Sequence, residues 1–458
     1  MLRLKVLAFL SLTIVFSLLL MPRLTGSQSL VRRLTNTAEQ ALSLNPFFSD
    51  DGHTVVFETT ADIASTGGGA SFRMVRADAS STPVHFDEIA RTRGQPSVSS
   101  DGRTMVFASC EDLLGSNQDR NSEIYLDDGQ HLRQLTQTLP ENESTRLDDG
   151  NFQPTLSGDG RFIVFSSNRP LVDASSSGRR AIYVYDAVSS ALAQLSPCQQ
   201  RFDYSSPKIS ADGSRLFYVG SHAEHVGDLV LHERLTGATR ILLKDVSGLE
   251  FSVGRSASSN GSRVAYSAVV GEDDRELFLF DVDSTAPRQL THLGPRSSDV
   301  SLSPTISGDG KRIAFATRRK VLKTSDGGVE LYLFDVPTGQ TIQVTSAPSI
   351  ATAEVVSSLN FDGSAVVFNF PRIISGQVSD NDLANNSEIY LTELQPRPSA
   401  GVVTVSNAAD KSNNAVAQNS IVSITGSALA FISVQPKTPS TIVGGTTVKV
   451  GGRLAQIL

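Results

Sequence analysis

A short pattern of polar and apolar positions returns along this chain about every fifty residues, a period typical of repeat architectures. Each copy has a small polar residue, any residue, Asp-Gly or Asn-Gly, and then apolar side chains at alternate positions. The turn pairs are Asp51-Gly52, Asp101-Gly102, Asp159-Gly160, Asp212-Gly213, Asn260-Gly261, Asp309-Gly310 and Asp362-Gly363, at successive spacings of 50, 58, 53, 48, 49 and 53 residues. Four positions after each Asp or Asn stand Val55, Met105, Ile163, Leu216, Val264, Ile313 and Val366. Six positions after stand Phe57, Phe107, Phe165, Tyr218, Tyr266, Phe315 and Phe368. Two positions before stand six serines and Asn360, and five positions before stands Pro in five copies of seven.

Asp-Gly and Asn-Gly suit the positive φ that a two-residue hairpin turn demands. Strand side chains alternate, so positions +4 and +6 share one face of the strand that follows. A third strand is expected at 123–128, 181–186, 228–233, 276–281, 330–335 and 388–393, with a degenerate version at 72–78. A fourth is expected at 132–136, 192–196, 239–243, 287–291, 342–345 and 83–86. Each repeat therefore reads as a four-stranded antiparallel meander the size of a propeller blade. The seventh copy lacks its fourth strand, and Val31-Arg32-Arg33-Leu34-Thr35 near the N-terminus matches the missing one. The expected fold is all-β: a seven-bladed β-propeller over 28–395, closed by its N-terminal strand so that no sheet edge stays open.

The run Pro-x-x-Ser-x-Asp-Gly-x-x-φ-x-Phe, then Glu-Ile-Tyr-Leu and Arg-Gln-Leu-Thr, resembles the TolB-type, PD40 (WD40-like) propeller repeat. Residues 153–160 and 303–310 carry it best. The resemblance spans 31–395. It implies the fold strongly and the function weakly, since the family includes periplasmic interaction proteins and the non-catalytic propellers of serine peptidases.

The ends differ from the repeats. Arg3 and Lys5 precede an apolar run from Val6 to Met21, then Thr25-Gly26-Ser27, the layout of a secretory signal peptide over 1–27, with an uncleaved anchor as the competing reading. Residues 396–458 are rich in Val, Thr, Ser and Gly and resemble the first part of an Ig-like (TIG-like) module; a complete sandwich needs about a hundred residues, so truncation is expected.

Composition narrows the chemistry. The formal charge is −7 and there is no Trp, which argues against nucleic-acid binding and against a Trp-Asp repeat signature. Two Cys, Cys110 and Cys198, exclude a four-thiolate zinc site, and their spacing does not say whether they pair. No G-x-S-x-G occurs, so a nucleophile elbow is absent and no catalytic residue is assigned. His222 and His225 offer imidazole ligands in a loop expected after blade four's second strand, and Asp380 and Asp382 offer oxygens to calcium. Neither set has helical H-E-x-x-H or twelve-residue calcium-loop spacing, and solvated loop tips are the plainer reading. No cofactor is expected beyond calcium in that role.

One asymmetry points to function. The Asp-Gly turns and the third-to-fourth-strand turns share one face of the disc and are short. The second-to-third-strand loops 58–71, 109–122, 167–180 and 369–387 occupy the opposite face and are long. Long loops on a rigid scaffold usually carry binding. The expected role is an exported, non-catalytic module, secreted or periplasmic, that binds or scaffolds another envelope or extracellular protein. The alternatives are a hydrolase or lyase working at the channel mouth and a structural cell-surface protein.

Overall fold

A computed structural model describes residues 31–38, 40–69, 71–142, 144, 147–172, 179–196, 202–223, 226–294, 302–319, 321–322, 328–345, 354–371 and 386–394, and four short strands beyond them. The signal segment, His225, Asp380, Asp382 and Cys198 lie outside these residues. Among the described residues no helix is long and apolar enough to cross a membrane. Thr404–Asn407 pairs with Val422–Thr425, and Val448–Val450 with Arg453–Ala455.

The rest is seven antiparallel sheets in chain order. Blade one runs Ser43–Phe48, Thr54–Thr59, Arg73–Asp78, His85–Ala90 from first to fourth strand. Blade seven takes its fourth strand from the other end of the chain: Val31, Arg32 and Arg33 pair with Thr392, Leu391 and Tyr390. This is the expected closure, and it satisfies the edge of the last blade with the first strand.

Two details depart from the expectation. Blade five has three strands, Arg263–Val270, Asp274–Asp281 and Arg288–Gln289. Its innermost segment touches the sheet only through isolated bridges at Glu250–Ser267 and Ala257–Val264, with Gly254 between them. The Asp-Gly turns are also not two-residue turns with both residues at positive φ. Only the glycine adopts one, +75° at Gly52 and +61° to +74° at the other six. The loop is four residues long: Ser49 and Thr54 close it, with Ser49 N–H donating to Thr54 O at 2.9 Å. Asp51 caps it instead, accepting from Ser49 Oγ at 2.6 Å and His53 N–H at 3.0 Å. Glycine is required sterically as well. A Cβ on Gly102 would lie 2.1 Å from Thr54 Oγ1 of the preceding blade.

The core consists of wedges between blades. Phe48, Val55 and Phe57 of blade one pack with Val367 and Ile389 of blade seven, and Val56 and Met74 pack with Met105 and Phe107 of blade two. The +6 aromatics are fully or almost fully buried. In five blades the +6 ring stacks on the aromatic directly opposite in the third strand, as Phe107 on Tyr125 and Phe315 on Tyr332, at 5.4–5.9 Å between centroids. Each such pair adds about 0.5–1.5 kcal/mol beyond its buried area.

The remaining repeat residues form a polar clasp. Thr136, Thr291, Thr345 and Thr35 each donate a hydroxyl to a buried glutamate, Glu123, Glu276, Glu330 and Glu388, at 2.5–2.6 Å. The same hydroxyls accept a backbone N–H from Ile124, Leu277, Leu331 and Ile389. Burial still pushes the Glu123 carboxyl up, although these donors oppose it. The Glu-Ile-Tyr-Leu and Gln-Leu-Thr runs are thus two halves of one hydrogen-bonded lock between third and fourth strands.

Candidate functional site

The two faces of the disc are built differently. On the Asp-Gly face, the residues just before each turn Asp or Asn link blade to blade by backbone hydrogen bonds. Asp51 N–H donates to Ser100 O, Ser100 to Gly158, Gly158 to Ala211, Asp212 to Ser259, Ser259 to Gly308, Asp309 to Phe361 and Phe361 to Asp50, at 2.7–3.2 Å. The ring is closed. It admits little bulk, since a Cβ on Gly158 would sit 2.4 Å from Ser100 Oγ and 2.9 Å from the Ala211 Cβ.

Next to this ring lies a cavity of about 30 Å³, lined by Ser100, Thr155, Lys208, Arg255 and Ser256 among others. That space holds about two waters. Arg255 on its lining pairs with Asp50, which also accepts from Ser100 Oγ. Lys208 is partly buried and lines this cavity. Its Nζ donates to Val253 O at 3.2 Å and Gly254 O at 3.1 Å. Desolvation lowers its pKa to about 7. These carbonyls are free because blade five's inner segment does not form a regular strand, so Lys208 ties blade four to the gap in blade five.

On the opposite face the loops of blades two and three lock into one surface. Asn121 Nδ2 donates to Thr138 O at 2.9 Å, and Asn151 N–H to Ser122 O at 2.8 Å. Asn168 Nδ2 donates to Asp148 O at 2.8 Å, and Gly150 N–H to Asn168 Oδ1 at 2.8 Å. Arg169 lies 3.8 Å from Glu141. Standing out from this polar scaffold are Leu139, Leu147, Leu114 and Val172, with 75%, 63%, 49% and 48% of their surface exposed. Four large apolar side chains held outward by ordered loops are what a docking surface offers.

Of the metal-ligand candidates from sequence, only His222 is described. It stands in the strand Arg215–Ala223 and not in the loop expected after it, which is residues 224–225 alone. It meets Asp245 at 3.0 Å and Asp228 at 3.8 Å. Neither aspartate was singled out from sequence. Asp245 is brought in by a fourth strand, Ala238–Ser247, that runs well past the expected 239–243.

No family model matches the chain. The TolB homologs of Chlorobium luteolum and Chlorobium chlorochromatii are each 29% identical, over 185 and 160 residues, 40% and 35% of this chain. Those stretches are 37% and 32% of the relatives, so the chain matches about a third of their length. An oligogalacturonate lyase from Vibrio parahaemolyticus superposes with a TM-score of 0.54 at 13% identity, covering 81% of this chain and 94% of that one. An oligogalacturonate lyase in complex with manganese gives 0.52 at 16% identity, covering 80% and 93%. At these identities the two enzymes establish a shared fold and nothing about chemistry. Repeat sequence and closed ring together make this chain a TolB-like seven-bladed β-propeller.

Proposed function

We propose that this chain is a protein-binding module of the cell envelope, exported through its N-terminal segment, that docks a partner on the long-loop face. The observation that carries the reading is the exposed group Leu114, Leu139, Leu147 and Val172 on hydrogen-bonded loops of adjacent blades. The similarity to TolB homologs supports an envelope, periplasmic location. An enzyme at the channel mouth on the long-loop face is the second reading, but Lys208, whose amine desolvation shifts, lies beside the Asp-Gly ring instead. That amine is also already engaged by two carbonyls.

The test is capture from solubilised envelope extract by the immobilised full chain, by Leu139→Asp/Leu147→Asp, and by Leu235→Asp, which changes an exposed leucine on the other face. One partner retained by the wild type and Leu235→Asp and lost by the double variant supports the reading. Equal capture by all three overturns it.

A further inference from the structure

We propose that His222, Asp228 and Asp245 form a site for one divalent first-row transition ion, zinc or manganese in kind, on the outer half of blade four. The three residues come from three adjacent strands, Arg215–Ala223, Val226–Glu233 and Ala238–Ser247. One ligand atom from each lies within 4.8 Å of the other two, and His222 Nε2 is 3.0 Å and 3.8 Å from the two carboxylates. Ligands about 2.1 Å from one ion stand about 3.0–3.4 Å apart in octahedral or tetrahedral arrangements, so small side-chain adjustments close the site.

The departure of blade four from its own repeat argues independently for a ligand. Asp228 pairs with Gly220, the register position that Glu123, Glu276, Glu330 and Glu388 hold opposite Ser109, Ala268, Thr317 and Phe370. In those four blades the buried carboxylate is clasped by a threonine hydroxyl. In blade four the threonine's place is taken by Leu243. Asp228 is as buried as the glutamates but keeps one amide donor, Asp245 N–H at 2.9 Å. Where the clasp elsewhere brings a donor hydroxyl, blade four brings an imidazole and a second carboxylate, and two carboxylates side by side call for a cation. A bulge in the fourth strand opposite Asp228 turns Asp245 toward it. Phe202 meets the His222 ring edge-on at 5.5 Å and fixes its plane. One nitrogen and two carboxylate oxygens suit zinc or manganese better than calcium, which prefers oxygen throughout.

The full chain, stripped by chelator, is titrated with Zn²⁺, Mn²⁺ and Ca²⁺ in separate calorimetric runs. The expected result is one equivalent of Zn²⁺ or Mn²⁺ and weaker Ca²⁺ binding. His222→Gln and Asp245→Asn each weaken binding by roughly tenfold or more. Both side chains reach solvent, and unchanged apo melting shows that each variant is folded. No binding up to about 1 mM ion, unchanged affinity in His222→Gln, or Ca²⁺ binding as tight as Zn²⁺ overturns the site. Should His222→Gln unfold the hairpin, the visible spectrum of Co²⁺ on the wild type decides: a spectrum like that of the aqueous ion overturns the proposal.

Discussion

The turn face and the long-loop face are made from the same strands, yet they follow opposite rules. On the turn face all seven repeats end alike, in a capped four-residue loop with its glycine at positive φ, and neighbouring loops bond into a closed ring. On the long-loop face the connections range from two residues, 224–225, to the seventeen between Phe370 and Glu388. The first face uses its polar groups on itself. The second uses them to hold apolar side chains outward. A ring that must close tolerates little variation at any member, whereas loops on a finished scaffold are free to diverge.

The sharpest break in this comparison comes from Gly158→Val on the ring. The new side chain meets Ser100 and Ala211, and a loss of about 3 kcal/mol is expected as a lower urea midpoint. A midpoint within error of the wild type would mean that the ring is not a constraint.

Lys208 probes the turn face beside that ring. Its folded pKa, about 7, lies below the value near 10.4 of an unfolded lysine. The unfolded chain therefore binds more protons between those values, so stability should rise with pH across that window and level off at its lower value below about 7. The expected gain is on the order of a few kcal/mol between pH 7 and 9.5, absent in Lys208→Met, measured by denaturant melts at each pH. A flat wild-type profile would show that the amine stays well solvated.

Thr345→Val removes the hydroxyl that donates to Glu330 and accepts the Leu331 N–H. A loss of about 1–3 kcal/mol is expected in the same melts. On the long-loop face, Leu139→Asp should move stability by less than about 0.5 kcal/mol while removing partner capture. A large stability loss there would make that leucine structural and erase the contrast between the faces.

Much of this was legible because the repeat is local. Asp-Gly, the +4 and +6 residues and the third-strand runs each act within a few residues, and seven copies made the pattern readable. The two-residue turn expected from Asp-Gly gives way to a four-residue loop, because Asp-Gly fits several turns and only the Ser49–Thr54 hydrogen bond, which sets the loop length, distinguishes them. The clasp was invisible as chemistry: Glu388 and Thr35 are separated by 353 residues and meet only when the ring closes. His222 was noticed, but its partners were not, because Asp228 looks like one more strand residue and Asp245 is placed by an extended, bulged strand.

The sequence by itself determined the number of blades, their strands and the terminal strand that closes them, since alternation and turn chemistry are near-neighbour effects written seven times. Only the tertiary structure decided which loops lock together and which carboxylates meet a hydroxyl or an imidazole. Those relations join atoms from different strands and blades, and burial sets their strength, so they exist only once the disc has formed.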